Sequence, residues 1–241
     1  MTNFFVSSFK YPAVSGAVRF IWSMKARCIV VVILVILHAC STSRQEVAPE
    51  TSYAVASWYG PDFHGRPTSS GEIFDMYSMT CAHKVYPFGT KLKVTNTANK
   101  KTVECIINDR GPFVGGRDLD LSYAAAKEIG VIGPGTGKVL IEVNGRDVSY
   151  IRTVRVQGAG KTGLFAVQVG AFNDSVNAIR LKKALNLKYG NVYIQEAEIK
   201  GTTFYRVRVG NFEALTGAVS MAEQLGQEGY PVMVVKADLK I

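Results

Sequence analysis

The sequence predicts a mainly β protein in two modules, a small closed barrel of short strands followed by an α+β unit of order βαββαβ. Three observations carry this. Between Tyr53 and Val143, brief β-rich stretches alternate with Gly, Pro, Asn and Asp, and one short helix interrupts them, a rhythm that suits a closed barrel better than a sheet wound by crossover helices. Further on, Val-Gln-Val-Gly-Ala-Phe beginning at Val167 recurs as Val-Arg-Val-Gly-Asn-Phe beginning at Val207, an internal repeat. Each copy then runs into an amphipathic helix and a further strand.

Taken in order, the chain opens with a targeting segment over residues 1–39. Lys10, Arg19, Lys25 and Arg27 stand there without an acid, followed by the apolar run Cys28 to Leu37. That run is shorter than the roughly 20 residues a spanning helix requires, and its basic flank is that of a secretory signal. Met24-Lys25-Ala26-Arg27 placed directly before it would make a compact signal with its own initiator. Leu37-His38-Ala39-Cys40 resembles a bacterial lipobox, which implies a lipidated Cys40 followed by a polar tether over 40–52, with Ser41 directing the protein to the outer membrane. Without residues 1–39, 24 basic residues face 19 acidic ones, a formal charge of +5. So small a surplus suits anionic polymers of the cell envelope, and no basic block with interleaved aromatics argues for nucleic acid.

The predicted barrel module covers 53–143, with strands at Ala54–Trp58, Lys91–Asn96, Thr102–Ile107, Asp118–Leu121 and Lys138–Val143. Its densest stretch is Asn108 to Ser122. Gly111-Pro112 breaks the strand that ends at Ile107, Gly115-Gly116 turns the chain back, and Leu119 and Leu121 then alternate with Asp118 and Asp120, which puts both aspartates on the face opposite the leucines. Ser122 is a helix N-cap and Gly130 a stop. In an oxidising compartment Cys81 and Cys105 form either one disulfide or two buried thiols. His38, His64 and His83 are scattered, so neither a metal nor another cofactor is expected.

Residues 144–162, rich in Gly, read as a linker with an added strand near Tyr150 to Val156, and 163–241 form the second module. Ala178, Leu181 and Leu185 line its first helix; Ala218, Met221, Ala222 and Leu225 line its second. With both helices on one side, the other face of the sheet stays open, and Gln168, Arg206 and Arg208 alternate onto it as either binding or merely solvated residues.

Ala56-Ser57-Trp58-Tyr59-Gly60, Phe63-His64-Gly65-Arg66, Gly71-Glu72, Phe74-Asp75, Ala82-His83, Pro87-Phe88-Gly89-Thr90 and Asn108-Asp109-Arg110-Gly111-Pro112-Phe113 resemble the rare lipoprotein A family. The resemblance implies a six-stranded double-psi β-barrel and a lytic transglycosylase acting on peptidoglycan strands stripped of their peptides. The second module resembles the sporulation-related repeat (SPOR) domain, whose members bind such strands at the division septum, so the implied protein is a septal outer-membrane lipoprotein facing the periplasm. Matched residue by residue, the family's functional positions fall on Glu72, Asp75, His83 and Asp109, while Asp120 occupies the acid position of related barrels.

Cleavage of a glycosidic bond needs a proton for the leaving oxygen and a stabilised oxocarbenium-like transition state. Asp120 is the first candidate for acid and base, with Asp109 the alternative, and Glu72, Asp75 and His83 are expected to hold substrate and tune the acid. Trp58 and Tyr59 either stack on sugars or pack in the core, and Gln168 and Arg208 are the glycan-binding candidates of the second module. A non-catalytic glycan-binding protein and a purely structural septal linker remain open alternatives.

Overall fold

The computed structural model describes residues 50–158 and 163–237. The expected signal segment, Cys40 and the tether up to residue 49 lie outside the described residues.

Six strands close the barrel in the order β1-β5-β2-β4-β3-β6: β1 (Thr51–Trp58), β2 (Thr80–His83), β3 (Thr90–Asn96), β4 (Thr102–Asp109), β5 (Leu119–Leu121) and β6 (Thr136–Arg146). Period-two burial explains β3, where Thr90, Leu92, Val94 and Asn96 turn inward and Lys91 and Lys93 outward. Leu92, Val94, Ile107, Leu119, Leu121, Val139 and Ile141 fill the centre. β2 is the strand that the residue pattern alone did not outline: it is four residues long and lies parallel to β4 and antiparallel to β5. Cys81 on β2 and Cys105 on β4 are joined by a disulfide, their Cα atoms 5.9 Å apart. Helix α1 (Tyr123–Glu128) begins where expected, with the Ser122 hydroxyl accepting from the Ala125 N–H at 3.1 Å.

As far as residue 158, the segment expected as a linker is ordered structure. β6 runs on to Arg146, a 3₁₀ turn spans Val148–Tyr150, and β7 (Arg155–Val156) joins the second sheet beside β11 (Met233–Lys236). That sheet has the order β7-β11-β8-β10-β9, with β8 (Phe165–Phe172), β9 (Val192–Ile199) and β10 (Thr202–Phe212). Helices α2 (Ser175–Asn186) and α3 (Leu215–Gln227) bury the expected stripes, Ala178, Leu181 and Leu185 on one and Ala218, Ala222 and Leu225 on the other. The Gly-x-Phe repeat also acquires a reason: a Cβ on Gly170 would lie 2.8 Å from the Phe172 ring, and one on Gly210 would overlap the Phe212 ring. Each phenylalanine therefore folds back over its own glycine.

One apolar core runs through both modules. Arg110, 2% exposed, fastens them. Its guanidinium carbon lies 3.7 Å from the centre of the Phe88 ring and 4.8 Å from that of Tyr230, its Nε donates to the Tyr230 hydroxyl at 2.6 Å and its Nη1 to the Tyr86 carbonyl at 2.9 Å. The Phe88 N–H donates to the Glu228 carbonyl at 2.9 Å, and the Arg152 N–H to that of Gly226 at 2.9 Å. Gly229, at φ +93°, has no room for a side chain, because a Cβ would meet the Phe88 Cβ at 2.9 Å and the Tyr150 carbonyl oxygen at 3.1 Å.

Candidate active site

Four strands set one lateral row of residues. Ser57 on β1 is in register with Asp120 on β5, Asp120 with Ala82 on β2, and Ala82 with Asp109 on β4. Because neighbours across a sheet share a face, these side chains point together, away from the core filled by Cys81, Leu119 and Leu121. The segment from Tyr59 to Met76 covers the row, with Tyr59, Phe74 and Ala82 as its apolar floor and Phe63 and Met76 against them.

Asp120 is buried, 7% exposed, and receives a hydrogen bond from the Ser57 hydroxyl. Arg117 stands 3.8 Å from its carboxylate. Burial pushes its carboxyl above the usual carboxylate range; the Ser57 hydrogen bond and the charges of Arg117 and Arg180 pull the other way, and Asp109 adds the smallest upward push. Desolvation outweighs repulsion by Asp109, because two ladder spacings, about 10 Å, separate the two backbones.

Asp109 is a held carboxylate. It accepts from the Tyr59 hydroxyl at 3.0 Å, the Ser69 N–H at 2.8 Å and its neighbour Arg110's N–H at 2.7 Å. Tyr59 is therefore buried beneath the site, not offered to a sugar, and burial with the nearby Asp109 charge keeps its hydroxyl protonated. Trp58 packs edge-on against Tyr123, ring centres 5.8 Å apart, and against the core. Both aromatics are engaged in packing, Tyr59 buried and Trp58 partly so.

Glu72 is drawn to the same place by the turn Thr68 to Glu72, in which the Thr68 N–H donates to the Glu72 carbonyl at 2.7 Å. The Glu72 carboxylate accepts from Asn108 Nδ2 at 2.8 Å, one residue before Asp109. Asp75 is exposed and occupied by its own turn, accepting from the Tyr77 N–H at 3.0 Å and the Ser78 hydroxyl at 2.8 Å, with His64 3.8 Å away. Those two donors hold its carboxyl below the usual range, so it stays ionised.

His83 departs from the expectation of a residue beside the acids. It follows Ala82 on β2, so alternation turns it to the opposite face, where its Nδ1 accepts from the N–H groups of Val85 at 3.2 Å and Tyr86 at 3.3 Å. Burial, then the charges of Arg110 and Lys84, lower its pKa to about 4, so it is neutral near pH 7. Asp118 also leaves the face shared with Asp120: it precedes β5, accepts from the Val55 N–H at 3.1 Å and pairs with Lys84 at 3.5 Å.

On the second sheet, Arg208 and Gln168 are cross-strand partners, and Gln168 in turn faces Met233. Together with Arg206 they line a cavity of about 350 Å³. Arg208 is 2% exposed, where the sequence suggested an open position.

The fold and site define a two-part class. Residues 51–141 match the family model described as lytic transglycolase, a double-psi β-barrel domain, and residues 161–236 match the SPOR domain. The endolytic peptidoglycan transglycosylase RlpA of Pasteurella multocida is 35% identical over 194 residues, covering 78% of this chain and 62% of its own length. Its namesake in Campylobacter jejuni is 42% identical over 144 residues, covering 54% and 52%. That of Vibrio cholerae is 59% identical over 93 residues, covering 39% and 35%. The chain thus spans between about a third and three fifths of the length of these relatives. Each module thus matches its own family, and across both modules the chain is similar to these RlpA proteins.

Proposed function

We propose that this protein is an endolytic lytic transglycosylase that cuts peptide-stripped peptidoglycan strands, and that Asp120 is its acid and base. The observation that carries the reading is the buried Asp120 carboxyl, raised in pKa and beside the held carboxylate of Asp109. Asp120 gives its proton to the glycosidic oxygen as the bond from C1 breaks. The C6 hydroxyl of the same sugar then attacks C1 and returns a proton to Asp120, so a 1,6-anhydro ring forms, no water is consumed, and the enzyme regains its starting protonation state. Asp109, fixed by three donors, faces the positive charge that grows on the ring, and Glu72 holds a substrate hydroxyl. In this reading Asp75 and His83 shape the two turns that frame the site.

The second module binds the same stripped strands through Gln168 and Arg208 and brings the enzyme to the septum, while a lipid on Cys40 tethers it to the outer membrane. Digestion of peptide-stripped sacculi with the purified mature protein tests the activity. Anhydro-ended fragments are expected. Intact glycan, or fragments with reducing ends and no anhydro ring, would refute it.

A further inference from the structure

We infer that one peptide-stripped glycan strand lies through the cleft between the two modules, so that the sugars held on the second sheet and the sugar presented to Asp120 belong to the same chain. The inference rests on the proposed substrate class and adds a subsite that neither module has alone.

The cleft is a cavity of about 650 Å³ with walls from both sides. Its barrel wall is the turn Thr68 to Glu72, the same turn whose Ser69 N–H donates to Asp109 and whose Glu72 binds Asn108. Its other wall is made by Arg152 and Arg155 and by β8 and β11 of the second sheet, including Gln168 and Met233. Those two residues also line the 350 Å³ cavity that holds Arg206 and Arg208, so the two hollows adjoin at Gln168 and Met233, and the larger one reaches the turn that holds Asp109.

Charge fits the occupant. Among the described residues, Arg152, Arg155, Arg206, Arg208 and Lys236 line the two hollows against the single acid Glu72. Removing the peptide from a muramoyl residue frees its lactyl carboxylate, so a stripped strand carries an anion on every disaccharide, whereas a neutral polysaccharide carries none. Arg208 adds a separate observation. It is 2% exposed, no carboxylate among the described residues pairs with it, its Nη1 reaches only the Lys236 carbonyl at 3.4 Å, and its Nε has no partner. A buried cation without an anion is costly, and an incoming carboxylate would relieve it. The Arg110 and Tyr230 contact keeps the two walls at a fixed separation, so a strand held at one end is delivered to the other at high effective concentration.

The test uses the full mature chain carrying Asp120→Asn and a length series of stripped glycan oligomers, with Kd measured by calorimetry. Affinity should rise by about 10²-fold between oligomers that occupy one module and those that reach both. Ala171→Trp fills the exposed cavity wall on β8 and Arg155→Glu reverses an exposed charge; either should abolish most of that gain, as should reduction of the lactyl carboxylates to alcohols. Affinity independent of length, or a length gain unchanged in both variants, would overturn the shared strand. Absence of anhydro products from the wild-type chain would instead overturn the proposed activity, whatever the binding series gives.

Discussion

Asp109 and Asp120 flank one residue: Ala82 on β2 is in register with both, so the two carboxylates stand on the same face of the barrel with a methyl group between them. Their surroundings then differ. Asp109 is gripped by three donors, while Asp120 has the Ser57 hydroxyl and, 3.8 Å away, the Arg117 guanidinium, against burial that outweighs them. In the proposed mechanism, that division of environments assigns Asp120 the proton and Asp109 the fixed position.

Asp120→Asn should therefore lose cleavage by about 10²-fold or more while binding of stripped glycan persists. Product chromatography beside a binding isotherm checks this. Cleavage at wild-type rate by Asp120→Asn, with Asp109→Asn inactive, would exchange the two roles.

The same residue predicts a pH signature of stability. A carboxyl whose folded pKa is raised makes the wild type lose stability as pH climbs from its ordinary 3.8 to the raised value, and the loss persists above. Asp120→Asn escapes that loss, so its melting temperature should gain on wild type as pH rises above about 4 and hold the gain at neutrality. Parallel melting curves from pH 3 to pH 7 would exclude it.

His83 works with the opposite sign. Its pKa falls to about 4 in the folded state against 6.5 for the free side chain, so the unfolded chain binds a proton first and wild-type stability drops as pH falls from about 6.5 to about 4. His83→Asn keeps an acceptor for the Val85 and Tyr86 N–H groups and removes the titration. Denaturant midpoints taken across this window should be flatter for the variant.

Tyr230→Phe deletes the hydroxyl that accepts from Arg110 Nε and leaves that buried donor unpaired, at a cost of about 1–3 kcal/mol. Gly229→Ala should be worse, since both backbone conformation and space forbid it. Chemical unfolding followed by fluorescence reads both. A Gly229→Ala protein as stable as wild type would contradict the tight docking of the modules.

The Cys81–Cys105 disulfide spans 24 residues of sequence, and loop closure of that length contributes about 3 kcal/mol. Replacing both cysteines by alanine, or adding reductant, should lower unfolding stability by a similar amount. Free thiols in the oxidised, denatured protein, counted by alkylation, would disprove the bond.

Much of the architecture was legible because it follows from periodicity. Leu119 and Leu121 alternate into the core as read, Ser122 caps its helix, and the forty-residue spacing of the Gly-x-Phe motif marks two equivalent strand-to-helix corners. The sequence set no bounds for β2 because Thr-Cys-Ala-His is too short to display a period; its partners β4 and β5 define it. Arg110 sat within a recognised motif, yet nothing local tells that its partner is Tyr230, 120 positions away.

The site divides in the same way. The chain by itself determined which acids were available, through residue type, and that Asp120 would turn from the leucines, through the two-residue repeat of an extended strand. Tertiary structure alone decided what each acid became. Desolvation and hydrogen bonding depend on which distant segments cover a group, and Ser57, Tyr59 and Ser69 reach these carboxylates only because the barrel closes. It likewise decided that Arg152, Arg155, Gln168 and Glu72 share a cleft, because a wall built from two modules exists only after both have folded and docked.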